Sequence, residues 1–382
     1  MKRRRVLGWA CAHCAAWPGL AAAADEALPG RFTRPDIASD EGGLWALMDR
    51  EEARLKRSPF TMREPGLREY LSAVACKLGG EHCPDIRVYP VRTPWFNASM
   101  APNGMMQVWS GLLLRVDNEA QLAAVLGHEI AHYLRRHSIE RLRDAKSRSA
   151  FGQILGVALG GVGALAQLAL LAGQSAYSRD HEREADRIGL QLMQGAGYAR
   201  REAAIVWANM RAEASAGAGG DPSTKSVLFA SHPSSVEREQ TLARLAAEDG
   251  DGFLGADEFR QRLDPLLFGL LDDELRRGQY EETLVLLDRL RTQRPQSALP
   301  LYFRAETRRL RDKPEDADAA LADLAAAAAL PDVPAQAHRS AGLLHRARAE
   351  PAAAHAAFER YLAAAPDAPD AGIVRSYIAE LQ

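Results

Sequence analysis

Two periods of apolar and polar positions alternate along the chain, and the change from one to the other divides it. From Gly43 to about Leu78 the spacing is helical, with Leu44, Leu47 and Met48 on one face and Leu67, Tyr70, Leu71 and Val74 on a later one. After Cys83 the period falls to two, and Ile86 to Val91 alternates as a strand does. Phe96 to Met100 and Met105 to Trp109 flank Asn103-Gly104, a pair suited to a tight hairpin. The helical period returns from about Asn118 to Lys146, so a small sheet precedes one long helix. Ser149 to Ser178 carries no charged residue and is apolar enough by hydropathy alone to cross a bilayer. Its many glycines suit a tightly packed helical hairpin instead. Ala214 to Thr224 is rich in Gly, Ala and Ser and predicts a mobile loop. A helix from about Ser235 to Ala247 and a Gly-rich link through Gly255 follow.

Beyond residue 262 the pattern repeats. Arg277 to Leu287 aligns with Arg311 to Leu321 at a shift of 34, and Arg348 to Phe358 follows three residues later than that shift would place it. Pro295, Pro331 and Pro366 close three units of similar length, and a last helix from Ile373 to Leu381 would cap the stack. Such helix–turn–helix units resemble the tetratricopeptide repeat, in which each pair buries its apolar face only against a neighbour. The expected class is α+β, mostly α: a small sheet among helices over 25–255, then an all-α repeat region over 262–382.

Composition changes this picture at the N-terminus. Lys2 to Arg5 are basic, Val6 to Leu20 mostly apolar, and Ala21 to Ala24 small, so residues 1–24 predict an export signal and a periplasmic protein. Removing them takes away four basic groups and no acidic ones, which leaves 44 against 50 and a net charge of −6. No basic patch invites nucleic acid. Cys11 and Cys14 fall in the signal, so only Cys76 and Cys83 remain. They flank Gly79-Gly80, where a short-loop disulfide and two packed thiols are both open.

The chemistry concentrates in Gly127-His-Glu-Ile-Ala-His132. Histidines four apart on a helix project from one face and can reach one ion, while Glu129 points alongside toward a water that the ion would activate. Leu122, Val125, Leu126, Ile130, Ala131 and Leu134 surround them with apolar side chains. Burying two imidazoles and a carboxylate without a partner costs several kcal/mol, which a zinc ion would offset. The third ligand must come from elsewhere, and helical phase selects within Asp180 to Gly189. Positions 182, 185, 186, 189, 192 and 193 form a face on which Glu182 and Asp186 stand among small and apolar residues. Glu182 is therefore expected on the metal, and Asp186 is placed to accept a ring N–H from a ligand histidine. Glu184 falls on the wetter side with Arg187 and Gln191. Ligands on both sides of 149–178 must meet at one ion, which excludes a single membrane crossing there. Contact of that segment with a membrane surface stays open.

These residues, with Arg136-His-Ser-Ile-Glu-Arg141, Tyr177-Ser-Arg179, Ser231-His-Pro233 and Glu237-Arg238, resemble the M48 family of metallopeptidases over about residues 40–250. The resemblance implies a zincin-type fold with His128, His132 and Glu182 on one Zn2+ and Glu129 as general base. It places His232 near the metal, either stabilising the transition state or plugging the open position. Phe96-Asn-Ala-Ser-Met100 stands where the family has a substrate-pairing edge strand, which makes Asn97 and Ala98 substrate-binding candidates. Arg238 either braces the site or is an exposed helix arginine. His137, about 140° round a continuous helix from His132, reads as structural. Unfolded or misfolded envelope proteins are the implied substrates, outer-membrane β-barrel precursors among them. Their assembly machinery is the implied partner of the repeats. A second reading makes the chain chiefly a chaperone or assembly factor acting through the repeats, with rare proteolysis.

Overall fold

The computed structural model describes residues 27–147, 178–217, 232, 236–247 and 251–381. The expected signal at 1–24, nearly all of the apolar segment 149–178 and most of the loop 214–224 lie outside them. No helix among the described residues is long and apolar enough to cross a membrane.

The helical spacing read over 43–78 belongs to two helices, one for each apolar face. The first, α1 (Asp40–Leu55), starts where Ser39 Oγ accepts the Gly42 N–H at 3.0 Å, with Asp40 and Glu41 favourably placed in its first turn. The second, α2 (Pro65–Gly79), begins on a proline that needs no N–H there. It ends beside a disulfide between Cys76 and Cys83.

A three-stranded sheet follows, with β1 (Arg87–Val91), β2 (Ala98–Met100) and β3 (Met105–Trp109) in the order β1-β3-β2. Strand β1 runs parallel to β3, and β2 pairs antiparallel with β3 through Ala98↔Val108 and Met100↔Met106, the hairpin expected around Asn103-Gly104. Gly104 sits at φ 87°, and a Cβ there would lie 2.1 Å from the Asp85 carbonyl oxygen, so only glycine fits the turn.

Helix α1 is tied to this sheet through Glu52, which accepts from Arg87 Nε at 2.8 Å, Arg87 Nη2 at 2.7 Å and the Tyr89 hydroxyl at 2.6 Å. Burial would raise this carboxyl, but the Arg87 and Tyr89 hydrogen bonds outweigh it and hold the pKa at about 2 against an ordinary 4.5. A depressed carboxylate contributes stability that is complete above its unfolded value and lost as pH falls through the folded one. Glu52→Gln should therefore cost on the order of 2 kcal/mol in urea unfolding at pH 7. That deficit should narrow as the pH is lowered from 4.5 toward 2, and a gap that stayed constant over this range would contradict the assignment.

After α3 (Ser110–Arg115) comes α4 (Glu119–Leu134), every residue of which is buried. Asn118 caps it, its Oδ1 accepting the Gln121 N–H at 2.8 Å. The long helix expected over 118–146 is broken: Arg136 takes the left-handed φ of 57°, and a separate helix α5 (His137–Ser147) begins after it. Neither Gly nor Pro marks the break. Arg136 is held there by an ion pair with Glu41 and by the Phe32 ring, 5.3 Å from its guanidinium.

Helices α6 (Arg179–Gly195) and α7 (Glu202–Ala216) pack on α4, and α8 (Val236–Leu245) packs on both of them. The Gly-rich stretch through Gly255 is pinned rather than a free link. Ala199 N–H donates to the Phe253 carbonyl, Phe253 N–H to Gly197, and Ala120 N–H to Leu254. Beyond it, α9 (Ala256–Leu263), α10 (Leu267–Arg276), α11 (Tyr280–Gln293), α12 (Leu299–Arg311), α13 (Asp316–Ala328), α14 (Ala335–Ala347), α15 (Pro351–Ala364) and α16 (Ala371–Glu380) follow. From α11 onward each helix packs on its neighbour in sequence. The repeat is visible in the backbone, because Gly278, Asp312 and Ala349 take positive φ at intervals of 34 and 37 residues, each after its aligned arginine. The hydrophobic core is continuous across residue 255: Leu71, Val125 and Ile188 belong to one cluster with Phe259, Leu286 and Phe303. A buried charge cluster crosses the same boundary. Arg115 Nε lies 2.7 Å from Glu213 and its Nη2 2.8 Å from Glu274, while Arg289 reaches Glu213 at 2.8 Å.

Candidate metal and catalytic site

Helices α4 and α6 cross backbone to backbone at Gly127 and Gly189. A Cβ on Gly189 would stand 3.1 Å from the His128 nitrogen, and one on Gly127 would stand 3.3 Å from the Gly189 carbonyl. That close approach lets the start of α6, capped by Ser178 accepting from His181 N–H, lay Glu182 against the histidines of α4. Glu182, Ala185, Asp186, Gly189, Leu192 and Met193 are all buried, the face that helical phase selected.

Four donors converge. His128 Nε2 is 3.1 Å from His132 Nε2 and 3.2 Å from His232 Nδ1. Glu182 Oε1 is 3.4 Å from His132 Nε2 and 3.0 Å from His232 Nδ1, and its Oε2 is 3.6 Å from His128 Nε2. All four residues are buried. Tetrahedral zinc with ligand bonds of ~2.0–2.1 Å sets its donors about 3.3 Å apart, so these side chains fit such an ion. His232 stands at the fourth corner. Glu129, next to His128 in the motif, is buried too, and its Oε1 has no hydrogen-bond partner among the described residues, with His232 Nε2 3.5 Å away.

The electrostatics suit the same reading. Burial pushes His132 well below its ordinary range, which leaves the neutral imidazole that metal binding needs. Burial acts against the Glu182 carboxylate, but His232, His132 and His128 outweigh it and hold it well below normal. Burial likewise opposes the charge on Asp186, and Arg238 outweighs it. Burial drives Glu129 up, as a proton acceptor working near neutrality requires. His232 is raised against its burial by Glu182 and Glu129.

Around this centre, Asp186 Oδ1 lies 3.0 Å from His128 Nδ1, the contact expected of it. Arg238 is buried and braces the site: it reaches Asp186 with Nε at 2.7 Å and Nη2 at 2.8 Å, and Glu182 with Nη1 at 2.7 Å. Trp207, which sequence reasoning missed, packs 4.7 Å from the Arg238 guanidinium and edge-on to His128. The outer strand β2 runs beside α4, and the Met100 N–H donates to Glu129. Asn97 and Ala98 are both buried at its start, with Asn97 O accepting from the Trp109 N–H. A small recess is lined by Met100, His132, Tyr133 and Arg136.

One placement differs from the sequence reading. On a continuous helix His137 would face away from His132, but the turn at Arg136 returns it, and the two Nδ1 atoms are 2.8 Å apart. Glu184, read as a solvated charge, lies 3.0 Å from His137 Nε2.

Residues 61–246 match the sequence profile of Peptidase family M48. The chain is 37% identical over 163 residues to the mitochondrial metalloendopeptidase OMA1 of Schizosaccharomyces pombe, covering 42% of this chain and 47% of that protein. It is 35% identical over 170 residues to the mitochondrial metalloendopeptidase OMA1 of Bos taurus, covering 41% and 32%. With the beta-barrel assembly-enhancing protease of Escherichia coli (strain K12) it shares 28% identity over 196 residues, covering 47% and 40%. The chain thus spans about a third to a half of the length of these relatives. The geometry of the site agrees with the match of residues 61–246 to a Peptidase family M48 domain.

Proposed function

We propose that the protein is a zinc-dependent endopeptidase that cleaves unfolded or misfolded proteins of the bacterial envelope. The observation that carries this is the set of four buried donors spaced as a tetrahedral ion requires, with the buried Glu129 carboxylate directly beside it, one of its oxygens lacking a hydrogen-bond partner among the described residues. His128, His132 and Glu182 would hold the ion. Zinc, when bound, supplies a Lewis acid that acidifies water and polarises a peptide carbonyl. Glu129 takes the proton from the attacking water and delivers it to the leaving amine, a role that its burial and raised pKa favour. Asp186 fixes the ring of His128, and Arg238 neutralises the two carboxylates behind it. An extended substrate pairs with the outer strand β2 near Asn97 and Ala98. Main-chain hydrogen bonding of that kind tolerates many sequences.

His232 acts as a plug: its Nδ1 stands where the fourth donor belongs, so substrate turnover requires it to leave. Export by residues 1–24 puts the chain in the periplasm, a setting that the Cys76–Cys83 disulfide suits. By likeness to the beta-barrel assembly-enhancing protease, β-barrel precursors are the clients and their assembly machinery binds the helical repeats.

The purified chain should cleave a casein-type unfolded protein, lose that activity to a zinc chelator and regain it with added zinc. In the same assay His232→Ala should raise the basal rate several-fold. Cleavage that survived complete removal of metal would overturn the proposal. A His232→Ala variant with unchanged rate and metal content would remove the plug.

A further inference from the structure

We infer that Glu184 and His137 form a relay that holds His132 in the tautomer able to bind the ion, with Arg135 anchoring Glu184. The inference rests on the zinc reading above and adds to it a pair of residues which that reading did not use. A neutral imidazole carries one N–H, and an ionised carboxylate can only accept. Glu184 Oε2 is 3.0 Å from His137 Nε2, so that nitrogen carries the proton of His137. His137 Nδ1 is then a lone pair, and at 2.8 Å it can only accept from His132 Nδ1–H. His132 Nε2 is left unprotonated, facing His128 Nε2 and Glu182 Oε1. Asp186 Oδ1 stands 3.0 Å from the Nδ1 of His128, so the two ligand histidines differ in what lies behind them, a carboxylate for His128 and a second imidazole for His132.

The packing makes the relay rigid. His137 is buried, its ring stacked on His181 with centroids 4.2 Å apart and edge-on to His132 at 4.9 Å. Arg135 Nε lies 2.8 Å from Glu184 Oε1, which leaves the other oxygen for His137. Residues 135 and 137 reach Glu184 together only because Arg136 breaks the helix between them. The same proton counting decides against a second cation among His137, Glu140 and His181, which also lie close together. A cation on His137 Nε2 would force its proton to Nδ1, and that proton would drive the one on His132 to Nε2, where the first ion must bind.

The test uses the full mature chain and zinc itself. Zinc affinity is measured by chelator competition, and the tautomer of His132 by long-range 15N NMR of the metal-free protein with labelled histidine. His137→Leu removes the acceptor and should weaken zinc binding by about 10- to 100-fold. His137→Asn, whose amide oxygen falls near the lost Nδ1, should recover most of that loss. Glu184→Leu, at a half-exposed position, should weaken zinc several-fold to tens of fold and give His132 a mixture of tautomers. It carries the test if His137→Leu fails to fold. Folded His137→Leu and Glu184→Leu chains that bind zinc as tightly as the parent, with His132 still protonated on Nδ1, would overturn the relay. A parent chain that binds no zinc would instead overturn the metal reading, and the relay with it.

Discussion

Glu129→Gln should reduce cleavage of an unfolded protein by on the order of 10²- to 10⁴-fold while leaving bound zinc and the fold in place. Glutamine keeps the size and shape of glutamate but cannot take a proton from water at neutral pH. The side chain is buried, one oxygen has no hydrogen-bond partner among the described residues, and the Met100 N–H holds the carboxylate toward β2. None of the converging donor atoms belongs to it, so metal content should not change. Zinc lost in parallel with activity would assign Glu129 to binding rather than to proton transfer. If any assembly role resides in the repeats, this variant should also retain it, which separates the two readings of the chain.

Arg115→Met should lower the unfolding free energy by on the order of 3 kcal/mol. The guanidinium is fully buried and joins Glu213 of α7 to Glu274 of α10, so its removal leaves two buried carboxylates short of a partner. Arg289 and Arg277 still reach these acids, which keeps the loss from being larger. Adding Glu213→Gln and Glu274→Gln to Arg115→Met should recover part of the stability, because amides are cheaper to bury than unpaired carboxylates. Urea unfolding of the three chains checks this. Equal midpoints for parent and Arg115→Met would mean that the cluster does not fasten the helical repeats to the peptidase part.

The parts of the site that could be read from sequence are those fixed by local spacing. His128 and His132 are one helical turn apart, and Glu182 and Asp186 share a face by the same arithmetic, so the period of the helix was enough. Asn103-Gly104 announced the hairpin because only glycine tolerates that backbone. The repeats announced themselves by self-similarity. What could not be read was set by contacts far apart in the chain. Arg136 is turned by Glu41 and Phe32, roughly a hundred positions earlier, with no Gly or Pro to signal it. His137 was therefore placed on the wrong side of an unbroken helix, and Glu184 lost its partner. Trp207 and Arg115 carry no motif, and their roles appear only when α7 and α10 are packed in place. The Gly-rich stretch at 251–255 looked like a link because composition does not reveal backbone pairing with Gly197 and Ala120.

Anomalous diffraction at the zinc absorption edge, from crystals of the zinc-loaded full chain, would locate the ion. The geometry predicts a single strong peak within bonding distance of His128 Nε2, His132 Nε2 and a Glu182 oxygen. Density with these three side chains turned apart, and no peak between them, would contradict it.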